Sequence, residues 1–176
     1  MNILEKEIED VLWDALNSND VNLEERGLFL YADKWLRQFN LGEYGIPDIV
    51  GYQIIEVSEQ KRNIHWSIIE LKKDAITVGT FLQSLNYFKA LEKLSEDFSH
   101  FEITIYLIGK SIDQNGSFCY LPDFVPEVNF ITYEIDLIKG MTFKNNFGYS
   151  LSKDMNFLLA KERFANDIKT LDENGK

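Results

Sequence analysis

Two strand-like runs joined by a short polar stretch constrain this chain more than any other feature. Ile46-Pro47-Asp48 opens the first, which continues to about Val57; the second runs from about His65 to Lys73 and contains Ile68-Ile69-Glu70-Leu71-Lys72. Ser58 to Asn63 between them reads as a hairpin loop, so the second strand returns toward the start of the first. That return brings Asp48 close to Glu70. Residues two apart on a strand share a face, so Glu70 and Lys72 project one way and Ile69 and Leu71 the other. The sequence therefore predicts two carboxylates and an ammonium at one edge of a sheet.

The rest of the chain supplies helices and further strands. Leu4, Ile8, Val11, Leu12, Ala15 and Leu16 recur at helical spacing before Asn17-Ser18-Asn19-Asp20 breaks the pattern. A short second helix is expected over Leu23 to Tyr31. Alternation from Trp35 to Leu41 predicts a strand leading into the turn Gly42-Glu43-Tyr44-Gly45. After the hairpin come a helix over about Thr77 to Leu94 and the apolar strand Phe101 to Ile108. Phe130 to Ile135 reads as another strand, 141 to 150 is ambiguous, and Ser152 is a candidate cap for a closing helix to about Leu171. This order predicts an α/β (α+β) fold with a mixed central sheet flanked by helices.

Composition narrows the function classes. At 176 residues and 45% hydrophobic, the chain is expected to form one domain over 1–176 with a single substantial core. No stretch approaches the roughly 18 uncharged apolar residues of a membrane helix, and Met1-Asn2-Ile3-Leu4-Glu5 turns charged too early for a signal peptide, so a cytoplasmic location is expected. The lone Cys119 has no internal disulfide partner, and no His or Cys cluster offers a zinc site. Any bound metal is therefore expected to be held by oxygen. The net charge of -11 runs against a nucleic-acid partner, whose phosphates attract Lys and Arg. Locally the balance reverses: Lys61, Arg62, Lys72, Lys73, Lys89 and Lys93 outnumber Glu70, Asp74 and Glu92.

Two carboxylates beside a backbone carbonyl form a hard-oxygen site suited to magnesium or manganese, and such a metal polarises a phosphate and activates water. The plainer alternative is an ion pair between Glu70 and Lys72 on an exposed strand, with Pro47-Asp48 a simple turn. Ile68, Ile69 and Leu71 argue for a buried strand, where unpaired charge is costly. On the first helix Glu5 falls between Leu12 and Leu16 within the apolar arc, while Glu9 lies at its edge and is the less favoured candidate. Glu5 could equally complement the helix dipole from the first turn. Gln83 and Tyr87, four apart, share a helical stripe with Ala90, Leu91 and Leu94, as site residues or as core.

Glu5, Pro47-Asp48, Glu70-Leu71-Lys72 and Gln83-Ser84-Leu85-Asn86-Tyr87 together resemble the PD-(D/E)xK nuclease superfamily, including the QxxxY motif of its RecB-like members. The resemblance covers roughly Met1 to Gly109 and implies a restriction-endonuclease-like αβββαβ core over about 1–110, with 111–176 adding strands and a C-terminal helix. It implies a Mg2+- or Mn2+-dependent deoxyribonuclease in which Asp48, Glu70 and the carbonyl of Leu71 ligate the metal. Lys72 would serve the nucleophilic water, and Glu5 would match the acid of the first helix. Gln83 would orient the site or contact DNA, with Tyr87 the aromatic of its motif; Tyr87, Arg37, Gln38 and Lys73 are candidate DNA contacts. DNA is the implied partner, with a second protein or a second copy of the chain supplying basic surface. The competing reading is a catalytically inactive DNA-binding or complex-forming module on the same fold.

Overall fold

The apolar and alternating runs become six strands of one sheet in a computed structural model that describes residues 4–18, 22–58, 61–113, 125, 127–136 and 140–146. Helix α1 (Glu5–Asn17) and a single turn, α2 (Asn22–Glu25), precede strands β1 (Lys34–Arg37), β2 (Ile49–Ser58) and β3 (Lys61–Ile76). Helix α3 (Val78–Leu94) then leads to β4 (His100–Ile112), β5 (Val128–Asp136) and β6 (Gly140–Asn145). The strands lie across the sheet in chain order, β1-β2-β3-β4-β5-β6. β2 and β3 form the expected antiparallel hairpin, with Ile49 opposite Ile69. β4 runs parallel to β3, a pairing that needs a crossover, and α3 supplies it. β5 continues parallel to β4, and β6 returns antiparallel to β5.

Consecutive strand residues project to opposite faces, and each face has its own helix. Ile8, Leu12 and Leu16 of α1 pack with Ile49, Ile69, Leu71 and Ile108. Phe81, Tyr87 and Leu91 of α3 pack with Val50, Trp66, Ile68, Ile105 and Leu107. Burial on both faces explains why Ile68-Ile69 and Ile105 to Ile108 are continuous apolar runs, while an edge strand such as β6 alternates. Trp66 is fixed within its layer by the bond from its indole N–H to Ser95, at 2.9 Å.

Several boundaries differ from the sequence expectation. β1 stops at Arg37 instead of reaching Leu41, because Gln38 adopts a left-handed backbone (φ 50°) and a short 3-10 turn follows at Gly42–Tyr44. The second helix is one turn, not a run to Tyr31. Gly27 (φ 88°) ends it, and a Cβ there would lie 2.4 Å from the carbonyl oxygen of Phe143 in β6. β3 is longer than expected at both ends, and the ambiguous segment after 140 supplies β6. The helix expected from Ser152 to Leu171 lies outside the described residues. Among the described residues, no helix is long and apolar enough to cross a membrane.

Candidate active site

The register of the hairpin builds the centre of the site. With Ile49 opposite Ile69, Asp48 enters β2 beside Glu70 on β3. Asp48 Oδ2 accepts the main-chain N–H of Leu71 at 2.7 Å, which ties the loop before β2 to the middle of β3. Glu70 is only 2% exposed. Its Oε1 accepts a hydrogen bond from Lys72 Nζ at 2.8 Å, whereas its buried Oε2 has no partner among the described residues. Lys72 Nζ also lies 3.6 Å from Glu5 Oε1.

Electrostatics follow from this crowding. Burial, reinforced by the charge of Asp48, pushes the Glu70 carboxyl up to about 7 against the opposing pull of Lys72. Burial also raises Asp48, although the Leu71 N–H and the charge of Lys72 oppose it. For Lys72, burial alone would favour the neutral amine; the bond to Glu70 and the charges of Glu70, Glu5 and Asp48 outweigh it and raise its pKa. The amine is therefore firmly protonated at neutral pH.

Helix α1 brings two acids, and burial separates them in the opposite sense to the wheel. Glu9 is the buried one, at 7% exposure, while the side chain of Glu5 is 44% exposed. A helical wheel gives the direction of a side chain but not its height along the axis, and Glu5 is the first helical residue, at the rim of the sheet. Glu5 nevertheless reaches the site: its Oε2 accepts the Lys73 N–H at 3.1 Å. Glu9 Oε1 accepts from Arg37 Nε at 2.6 Å and from Gln38 Nε2 at 3.0 Å, and Arg37 Nη2 donates to Asp10 at 2.5 Å. Arg37, expected as a DNA contact, is instead committed to two carboxylates of α1. Gln38 Nε2 also lies 3.4 Å from Asp48 Oδ1. These groups line an open cleft of about 800 Å³, bordered by Glu5, Glu9, Asp10, Arg37, Gln38 and Asp48.

The Gln83/Tyr87 stripe supports the site from α3, on the face of the sheet that Glu70 shares with Ile68. Gln83 Nε2 donates to the Tyr87 hydroxyl at 2.5 Å, and that hydroxyl donates to the carbonyl of Ile46 at 3.2 Å, two residues before Asp48. Tyr87 is 1% exposed, and burial with the nearby charge of Glu70 pushes its hydroxyl up to about 12. Its ring lies against Gly45, where a Cβ would meet Tyr87 Cε1 at 3.0 Å. Tyr87, expected as a DNA contact, is instead buried and braces the Gly45 to Asp48 loop from within, while Gln83 is exposed. The main chain of Lys73 is fixed at both its amide and its carbonyl, which accepts the Tyr133 hydroxyl at 2.7 Å; the residue is half-buried on the strand.

Among the described residues, no three His, Cys, Asp or Glu side chains are gathered as a ready metal-binding set. The donors that suit a hard cation here are the carboxylates of Asp48 and Glu70 and the main-chain oxygen of Leu71 between Glu70 and Lys72. The unpartnered Glu70 Oε2 fits that chemistry, since a buried carboxylate oxygen normally has a hydrogen bond or a cation. Sequence reasoning undervalued Glu9. Its position beside Ile8 and Leu12 was the available signal, but the partners that make its burial tolerable lie 28 and 29 residues away. No protein-family model, curated protein or solved structure matches this chain.

Proposed function

We propose that this protein is a Mg2+- or Mn2+-dependent nuclease, acting in the cytoplasm, that hydrolyses DNA phosphodiester bonds by attack of water. The observation that carries the reading is the buried Glu70 carboxylate, with one oxygen on Lys72 and the other unpartnered among the described residues, beside Asp48 at the entry to the adjoining strand. The element order supports it: setting aside the single turn α2, the chain runs helix, three strands, helix, strand, the order of a restriction-endonuclease-like PD-(D/E)xK core.

In this reading Asp48, Glu70 and the Leu71 carbonyl hold the metal, which when bound polarises the phosphate and acidifies water. Because Lys72 is cationic, its role is to orient the attacking water and offset charge on the phosphorus centre, not to remove a proton. The water oxygen bonds to phosphorus, the bond to the departing sugar oxygen breaks, and that oxygen takes up a proton from solvent water. Glu5, open to solvent and 3.6 Å from the same ammonium, takes the proton that water loses. Gln83 and Lys73 remain the candidate DNA contacts, since Arg37 is held by Glu9 and Asp10.

The net charge of -11 favours a second reading, a DNA-binding or complex-forming module on this fold whose partner supplies basic surface. The experiment incubates purified protein with linear, circular and single-stranded DNA and either metal, beside Asp48→Ala and Lys72→Ala. Cleavage lost in both variants supports the nuclease. Metal binding without turnover, with a stable protein partner in a pull-down, supports the second reading. Intact DNA and no calorimetric heat with Mn2+ overturns both uses of the site.

A further inference from the structure

Gln38 occupies a conformation that its sequence does not explain. It is the one non-glycine residue with positive φ among those described, at +50°, a region that a residue with a Cβ adopts at a cost. No glycine or asparagine stands there to ease it. Strain of this kind persists only where surrounding contacts over-determine it, and such contacts are present. The Gln38 N–H donates to the main-chain carbonyl of Asp48 at 2.9 Å. Its side-chain amide donates to Glu9 Oε1 at 3.0 Å and lies 3.4 Å from Asp48 Oδ1.

The left-handed turn has a geometric effect. On an extended strand, Arg37 and Gln38 would point to opposite faces. Here both reach the same oxygen, Glu9 Oε1. Asp48 is thereby held at three points: its carbonyl and one carboxylate oxygen by Gln38, and its other carboxylate oxygen by the Leu71 N–H. Glu9 is in turn anchored by Arg37, which Asp10 braces.

We propose that Gln38 is a positioning residue that fixes the orientation of the Asp48 carboxylate by sharing one amide between Asp48 and Glu9, and that its left-handed backbone is retained for this purpose. The proposal rests on the nuclease reading for its consequence in catalysis, but not for the coupling between Gln38 and Asp48. It assigns the amide to the protein's own carboxylates, in place of the phosphate contact expected from sequence.

Three chains test it: wild type, Gln38→Ala, which keeps the strain and removes the amide, and Gln38→Gly, which removes both. Mn2+ affinity is read by calorimetry, and cleavage as kcat and KM separately. The expected result is Mn2+ affinity weakened about tenfold or more in both variants, as for loss of a group that orients a ligand, with kcat falling and KM for DNA little changed. Gln38→Gly unfolds no more readily than Gln38→Ala. A purely structural role would have glycine restore the wild-type affinity and kcat, and that result overturns the proposal. In metal-free protein, a cycle of Gln38→Gly, Asp48→Asn and the double variant gives unfolding equilibria that are non-additive by about twofold or more. Additive values overturn the proposal whatever the activity. If wild type neither binds Mn2+ nor cuts DNA, the nuclease reading falls and this cycle alone decides the role of Gln38.

Discussion

Replacing Glu70 by glutamine should make the protein more stable at mildly alkaline pH, not less. A raised carboxyl pKa means that the folded state still holds a proton that the unfolded chain has released. Between the ordinary value of 4.5 and about 7, stability therefore falls as pH rises. The displacement corresponds, at about 1.4 kcal/mol for each tenfold change in proton affinity, to about 3 kcal/mol lost by the time Glu70 is ionised. The side chain is 2% exposed, so water does little to screen this cost. Glutamine approximates the protonated carboxyl in shape and charge. Glu70→Gln is thus expected to be nearly neutral at about pH 4 and to stabilise by about 3 kcal/mol at about pH 8, measured by urea unfolding followed by tryptophan fluorescence. The net gain already includes the weakened bond from Lys72, because that bond helps set the wild-type pKa. A variant that is equally or less stable than wild type at the higher pH would refute the reasoning, since Glu70 would then carry its charge without penalty. Saturating Mn2+ at about a hundred times its dissociation constant should offset the penalty in wild type by about 2.7 kcal/mol and leave the variant unmoved.

Three further substitutions test other parts of the arrangement. Arg37→Ala leaves the buried Glu9 with only the Gln38 amide, and a loss of about 3 kcal/mol is expected in chemical denaturation, more than for an exposed ion pair. Tyr87→Phe removes the donor to the Ile46 carbonyl and should cost about 1 kcal/mol. By loosening the loop that carries Asp48, it should also slow DNA cleavage about tenfold, read in the same nuclease assay. Gly51→Ala would set a Cβ 2.4 Å from Trp35 Cζ3 and 2.7 Å from Ala32 Cβ, so about 1–3 kcal/mol of destabilisation and a shifted tryptophan emission are expected.

The hairpin and its polar pair were legible because they depend on local rules. A period of two fixes the shared face of Glu70 and Lys72, and the polar stretch from Ser58 to Asn63 marks where the chain reverses, although strand pairing runs on through it, with Ser58 opposite Lys61 and Ile55 opposite Asn63. α3 was equally plain, with Thr77 capping its first turn. What the sequence hid was long-range. Arg37 appeared to be a mid-strand residue aimed at a ligand, because nothing in Arg37-Gln38-Phe39 marks a left-handed turn. Its partners on α1 are distant in the chain. Glu5 and Glu9 were ranked by angle around the helix, and burial was decided by height along it. β6 alternates so briefly, with Met141 and Phe143 half-buried, that only its pairing with β5 identifies it as a strand.

The division of the site between β3 and α1 has a mechanical consequence. Glu70 and Lys72 stand on β3, paired in parallel with Leu107 and Gly109 of β4, while on the other side the β2 pairing ends at Ile69 and Asp48 takes the Leu71 amide. Glu5 stands on the first turn of a helix whose cap position is Leu4, which has no side-chain oxygen to satisfy the leading N–H groups, although Glu7 reaches back to the Leu4 amide at 2.8 Å. One half of the site is thus an anvil and the other a latch. Unwinding a single turn of α1 releases Glu5 from Lys72 and from the Lys73 amide while Asp48, Glu70 and the sheet hydrogen bonds stay in place. The site can be unlatched at its rim for far less free energy than melting the domain requires.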